Sequence, residues 1–320
     1  MPLSTVKSYQ NSFMNILVVA KKYNDIYYAL SLPEWNMSKY KTLIIITKKL
    51  SLSNYPMQDL FDEVHCIQSR TGSIGIFQTL IDLKCLLPKL SYDTVVLSNI
   101  SLVSNKYIVN NEKCKQAILI EDGYMNYYDF QEPKSIAKSS IMSLFGIRQS
   151  TVLSKIYKSY LLEPQMAKYF FGVRCKLKIA SDVFCSRINT MPDLQGRKLF
   201  IGQPLYHSYT GNDITIEQYN EIINKIIKMF DIDYYVPHTM ADDRESIECK
   251  LFDIGAYKCT FEVLASIYDL EIYAISSSVL YTTKVINPKC KSFIVQIPNV
   301  KRISPNSILF RYADEMLEIN

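Results

Sequence analysis

The chain predicts an α/β protein built from two Rossmann-like, doubly wound domains that face each other across a central cleft. Three features carry that expectation. Short continuous apolar runs at residues 16–20 (ILVVA), 43–47 (LIIIT), 94–98 (TVVLS) and 117–121 (AILIE) have strand length. Runs of this kind suit parallel strands buried on both faces. Between them, residues 74–90 place Ile76, Leu80, Leu83, Leu86 and Leu87 at helical spacing, and strands alternating with helices indicate βαβ units. The same alternation then restarts in the second half.

That second half opens with a short strand at 198–201. Thr215 and Gln218 have the spacing of a capping box. They precede an amphipathic helix with Tyr219, Ile222, Ile223, Ile226, Ile227 and Phe230 on one face. A strand at 232–236, a helix at 261–268 and strands at 271–275 and 292–297 complete the pattern. Residues 134–180 interrupt the rhythm and read as a helical excursion, with Ile136, Ile141, Leu144, Ile156, Tyr160 and Leu161 as its apolar positions. The turn formers Asn189, Pro192 and Gly196 place the domain boundary within 186–197, giving domains of 1–190 and 191–320.

Composition narrows the function. Of 320 residues, 48% are hydrophobic and 21% charged, which fits buried cores and excludes a disordered chain. A net charge of +5 suits an anionic substrate or an acidic membrane surface and is too small and scattered for nucleic-acid binding. The 8 Cys show no metal-knuckle or redox spacing and read as small buried hydrophobes in a reducing compartment. Residues 1–13 are polar, the first apolar run is too short for a signal sequence, and no run reaches membrane-spanning length. The expected location is cytoplasmic, with any membrane contact peripheral.

Three polar clusters lie just past predicted strand ends, where open α/β sheets bind ligands. Glu121-Asp122-Gly123 follows the fourth strand; either carboxylate could serve as a general base, and Gly123 permits a sharp turn. Read alone, the cluster is equally an acidic turn without a role. Val236-Pro237-His238-Thr239 precedes the polar loop Asp242-Asp243-Arg244-Glu245, and an imidazole there could donate to a phosphate. His207 lies near the same cleft. Ser276-Ser277-Ser278 offers hydroxyls and N–H groups at a strand-to-helix turn, a phosphate-holding arrangement. Gly202-Gln203-Pro204 forms a tight turn after residue 201. There is no G-x-G-x-x-G, no Walker motif, no G-x-S-x-G and no H-E-x-x-H, and no His/Cys/Asp set has metal-ligand spacing.

In order and spacing, these clusters resemble the motifs of bacterial sialyltransferases: an acidic pair with Gly, a later His-Pro, and a later Ser pair. The turn Phe200-Ile201-Gly202-Gln203-Pro204 and the pair Phe261-Glu262 resemble glycosyltransferase family 52 in particular, the family of lipooligosaccharide and capsule sialyltransferases. The resemblance covers about residues 115–300. Two departures stand out: Thr239 occupies the usual Pro position, and Arg244-Glu245 lies several residues further on.

The resemblance implies a GT-B-like fold, with an acceptor-side N-terminal domain and a nucleotide-sugar-binding C-terminal domain. It implies CMP-sialic acid as donor, a galactose-terminated glycan, free or lipid-linked, as acceptor, inversion at the anomeric carbon, and no metal or other cofactor. The base would be Glu121, Asp122 or Asp213, since the family places an Asp upstream of its His. His238 would serve the leaving phosphate. Gly123, Gly202, Gln203, Pro204, Thr239, Glu262, Ser276, Ser277 and Ser278 would border the donor. A homodimer is compatible with this picture. Two alternatives stand beside it: a related GT-B enzyme using another nucleotide sugar, and a non-catalytic partner in envelope assembly.

Overall fold

The computed structural model describes residues 14–47, 56–70, 72–128, 135–181, 184, 192–238, 241–304 and 306–319. The first half supplies strands β1 (Met14–Ala20), β2 (Ser38–Thr47), β3 (Glu63–Gln68), β4 (Thr94–Leu97), β5 (Gln116–Ile120), β6 (Ile156–Leu161) and β7 (Val173–Lys176). They form one parallel sheet in the order β3-β2-β1-β4-β5-β6-β7. β1 is central, with Val18 opposite Leu43 on one side and Val96 on the other. Layers cover both faces of such a strand, which is why ILVVA carries no polar residue. The helices between the strands are α1 (Tyr23–Leu30), α2 (Pro33–Met37), α3 (Gly72–Leu86), α4 (Val103–Asn110), α5 (Ile136–Leu144) and α6 (Gln149–Lys155).

The second half forms a second parallel sheet from β8 (Lys198–Ile201), β9 (Tyr234–Val236), β10 (Glu271–Ala274), β11 (Lys291–Gln296) and β12 (Glu315–Glu318), in the order β12-β11-β10-β8-β9. Its helices are α7 (Ile216–Phe230), α8 (Phe261–Ile267), α9 (Val279–Ile286) and α10 (Ile308–Tyr312). Thr215 caps α7 reciprocally: its hydroxyl accepts from the Gln218 N–H at 3.2 Å, and the Gln218 side chain accepts from the Thr215 N–H at 2.9 Å.

Each sheet has one topological switch point. In the first, the chain winds from β1 to β3 and then crosses to β4 on the other side of β1. In the second, it winds from β8 to β9 and then crosses to β10. Ligands of open α/β sheets bind outside the carboxyl ends of the strands flanking these points.

The stretch 134–180 corrects the sequence reading. Its first part is helical, as α5 and α6, but Ile156, Tyr160 and Leu161 lie on β6, which with β7 extends the first sheet. Apolar residues four apart satisfy a period of two as well as one of 3.6, so a short run cannot separate strand from helix. The cysteines need a smaller correction: Cys114, Cys259 and Cys290 are buried, whereas Cys85 is exposed. Cys185 lies outside the described residues.

The two sheets share one continuous core. Tyr27, Tyr28 and Leu162 of the first half pack in the same cluster as Val263, Leu264 and Tyr281 of the second. The Tyr27 hydroxyl donates to the Lys258 carbonyl across the seam. No helix among the described residues is long and apolar enough to cross a membrane.

Replacing Thr215 with Ala removes one half of the α7 cap. Urea denaturation is expected to show a loss of about 1 kcal/mol, while a Thr215→Ser variant keeps most of the stability.

Candidate active site

The switch point of the second sheet is closed by one side chain. Gln203, in the turn after β8, accepts from the Ser276 N–H at 2.8 Å and donates to the Ser276 hydroxyl at 3.0 Å. The turns after β8 and β10 are thereby knitted into one surface. Gly202 is required by a close approach: a Cβ there would stand 2.6 Å from Cζ of Tyr235. Its N–H bonds the Val236 carbonyl at the end of β9. Beneath this turn lies a polar network. Tyr219 accepts from the Gln203 N–H and pairs with Tyr235, Tyr235 donates to Glu245, and Tyr206 donates to the other oxygen of Glu245.

Ser277 and Ser278 lead into α9. The Ser277 hydroxyl accepts from the Val279 N–H at 3.3 Å, and the Ser278 hydroxyl makes no capping bond. Ser278 instead faces the first domain: its Oγ lies 3.7 Å from the point where a side chain on Gly123 would begin. Gly123 has φ +77°, a left-handed conformation that favours glycine.

Adjacent carboxylates just past β5 go opposite ways. Glu121 is fully buried. It accepts from Tyr127 at 2.7 Å, from the Leu162 N–H at 2.8 Å, and from Tyr281 of α9 at 2.9 Å. Burial pushes its pKa up to about 7, against the opposing pull of those donors and of the Lys22 charge. Asp122 points to the rim. Lys22, in the loop after β1, bonds one of its oxygens at 2.8 Å, and Asn99, in the loop after β4, donates to the other at 2.8 Å. Its N–H bonds Asn126 at 2.7 Å.

Around Lys22 stand three carboxylates. Burial alone would lower the Lys22 pKa, but Asp25, Asp122 and Glu262 together hold it above its ordinary value. Asp25 is itself fully buried, which raises its pKa despite Lys22 and the Lys21 N–H. Glu262, in the first turn of α8, is also buried, and its charge acts on Tyr28 of α1 across the seam.

His238 follows β9, and Glu245 and His207 both act on it electrostatically. Partial desolvation lowers its pKa, Glu245 pulls it back up, and His207 pushes it further down. The resting imidazole is therefore neutral near pH 7.

The structure thus sets Gly123 beside Ser278 and joins Gln203 to Ser276. His238 stands one strand end further along, beyond the Gly202–Val236 bond. Glu262 is embedded in the seam. Pro204 is buried behind its turn. Asp213 is exposed, its N–H on the Asn299 carbonyl. Among the described residues no hydrogen bond or ion pair joins it to Asp122 or to the serines. Thr239 lies outside the described residues. Lys22, Asn99 and Tyr281 were missed by sequence reasoning. Lys22 and Asn99 carry the same signal as the acidic pair, a polar residue one or two positions past an apolar strand.

Two parallel α/β sheets whose switch points meet across a seam define a GT-B protein. The profile of glycosyltransferase family 52 matches residues 46–285, and the chain belongs to that family. Among solved structures it resembles S. aureus MnaA, solved with UDP, at 11% identity and a TM-score of 0.50, covering 88% of this chain and 79% of that one. It also resembles a family 9 glycosyl transferase from Veillonella parvula at 10% identity and a TM-score of 0.40, covering 96% and 86% of the two chains. At 11% identity the likeness to MnaA is one of fold alone. A comparison with curated proteins returns no match.

Because the folded pKa of Glu121 lies above the ordinary value of 4.5, its contribution to stability is fully present below pH 4.5. That contribution is lost as pH rises through about 7. A Glu121→Gln variant escapes this loss. Its melting temperature, relative to the unaltered protein, is expected to climb between pH 5 and pH 8 by the equivalent of ~3 kcal/mol at most. A difference that is flat across that range would contradict the assignment.

Proposed function

We propose that this glycosyltransferase is an inverting, metal-independent sialyltransferase, moving sialic acid from CMP-sialic acid to a galactose-terminated glycan of a capsule or lipooligosaccharide. The contact of Gly123 with Ser278 carries the reading. It sets a rim carboxylate from one domain against a hydroxyl- and N–H-rich turn from the other, the juxtaposition that displacement at a phosphate-linked sugar needs.

The donor phosphate is held by Ser276–Ser278 and the start of α9, where N–H groups and the helix dipole favour an anion. Gly202–Pro204 borders the nucleoside. The acceptor lies on the first domain, with its hydroxyl on Asp122. As the acceptor oxygen attacks the anomeric carbon, its proton passes to Asp122. The bond from that carbon to the phosphate oxygen breaks on the opposite face, and CMP leaves with the electron pair. Asp122 is the better base than Glu121, because Glu121 is buried and already occupied by Tyr127, Leu162 and Tyr281. Lys22 must release one Asp122 oxygen for this step. Asn99 keeps the other in place.

His238, neutral at rest, takes up a proton from solvent beside the monoanionic phosphodiester of the donor and donates it to the dianion that forms as CMP leaves. One phosphate, met by an imidazole and hydroxyls, needs no metal for neutralisation.

The direct test is product analysis after incubation with CMP-sialic acid and a panel of galactosides, with and without EDTA. An Asp122→Asn variant should lose about 10²–10⁴ in kcat, and His238→Ala about 10²–10³, each with an unchanged melting curve. Calorimetry should show CMP binding that EDTA leaves intact. Preference for UDP, or wild-type rates from both variants, would overturn the reading.

A further inference from the structure

The outer face of the first domain carries an apolar surface that the fold leaves uncovered. On α3, Ile74, Phe77 and Ile81 recur at helical spacing on the solvent side, and Ile74 is 77% exposed. The opposite side of α3, with Leu80 and Leu83, already fills the core. Beside it lies α5, joined through the Phe77–Phe145 ring contact at 5.4 Å. Ile136 and Leu144, at the two ends of α5, are 89% and 70% exposed. A helix that has met its packing requirement has no structural need for a second apolar stripe.

The charges around this surface are mostly positive. From residue 135 to residue 162 the sequence contains no Asp or Glu. Lys84 and Arg148 are exposed beside the apolar positions, and Lys138 lies on α5 itself. The single acid of α3, Asp82, is matched by Arg70 at 3.8 Å. We infer that the α3–α5 face is a docking surface for an anionic lipid bilayer, with Ile74, Phe77, Ile136 and Leu144 entering the interface and Lys84 and Arg148 reading its negative charge.

Charge decides between occupants. A second copy docked through the same face would set Lys84 and Arg148 against their own counterparts, whereas an anionic surface complements them. The face is also tied to the rim. The Lys138 ammonium donates to the Ser101 carbonyl in the loop after β4. In that loop Asn99 accepts from both the N–H and the hydroxyl of Ser101 while donating to Asp122. A bilayer on α5 therefore stands beside the acceptor side of the cleft. Presentation of a lipid-linked acceptor rests on the function proposed above; the docking surface does not.

The test is co-sedimentation of the full chain with vesicles of phosphatidylglycerol and of phosphatidylcholine. Pelleting is expected with the anionic vesicles and should fall severalfold as salt rises. An Ile136→Asp/Leu144→Asp variant and, separately, a Lys84→Glu/Arg148→Glu variant should each bind roughly tenfold less or weaker still. Both should retain the melting temperature, CMP binding and transfer to a soluble galactoside.

Equal pelleting with both lipids, no pelleting with either, or pelleting untouched by both variants would overturn the proposal. So would a dimer in light scattering that Ile136→Asp/Leu144→Asp disperses. Binding to vesicles requires no turnover, so a failed transfer assay would strike the proposed function and leave the docking result standing.

Discussion

Where the two halves of the chain meet, a carboxylate stripped of water is satisfied from three directions at once. Glu121 draws one donor from its own strand-end turn, one from the backbone after β6, and one from α9 in the other domain. A buried charge that loses a donor recovers nothing from solvent, so separating α9 from β5 is resisted at that atom as well as by the shared apolar core. The next residue inherits its position from this anchoring. With Glu121 turned inward, the chain turns at Gly123 beside Ser278 and leaves Asp122 on the rim. The seam and the site are in this sense one construction: what holds the domains together also aims the carboxylate between them.

The rim is a crowded electrostatic environment. Lys22 is shared among Asp25, Asp122 and Glu262, two of which are buried. One ammonium among three carboxylates is a compact way to keep acidic groups from two domains in close quarters without mutual expulsion. It also makes the loop after β1 a working part of the cleft, although no motif marks it. Lys22 and Asn99 hold Asp122 by different oxygens, so the loss of either bond leaves the carboxylate tethered by the other.

Much of the architecture was legible because parallel strands buried on both faces leave a plain trace. ILVVA, LIIIT, TVVLS and AILI each became a strand, and the capping box at Thr215 sits at the start of α7. The trace failed where strands are short or half-exposed. β7 is mostly exposed, and β6 mimics a helical period over six residues. The candidate site was partly legible for the same reason: polar residues one or two positions past an apolar run stand out by contrast. Glu121 shows the limit of that rule. Its type and place suggested chemistry, yet Tyr127 in its own turn and two donors far along the chain, Leu162 and Tyr281, hold it buried in the seam. Only the folded chain brings Leu162 and Tyr281 to it. The outer stripe of α3 was hidden for the opposite reason, since a helix apolar on nearly every side shows no preferred face to a periodicity argument.

Gln203 spans the turns after β8 and β10 with both halves of its amide, donating to one atom of Ser276 and accepting from another. The two loops at the second sheet's switch point are therefore not independent modules. A chimera that borrowed either loop from a relative would have to import its amide or its serine partner with it, or the grafted surface would come apart at the crossover.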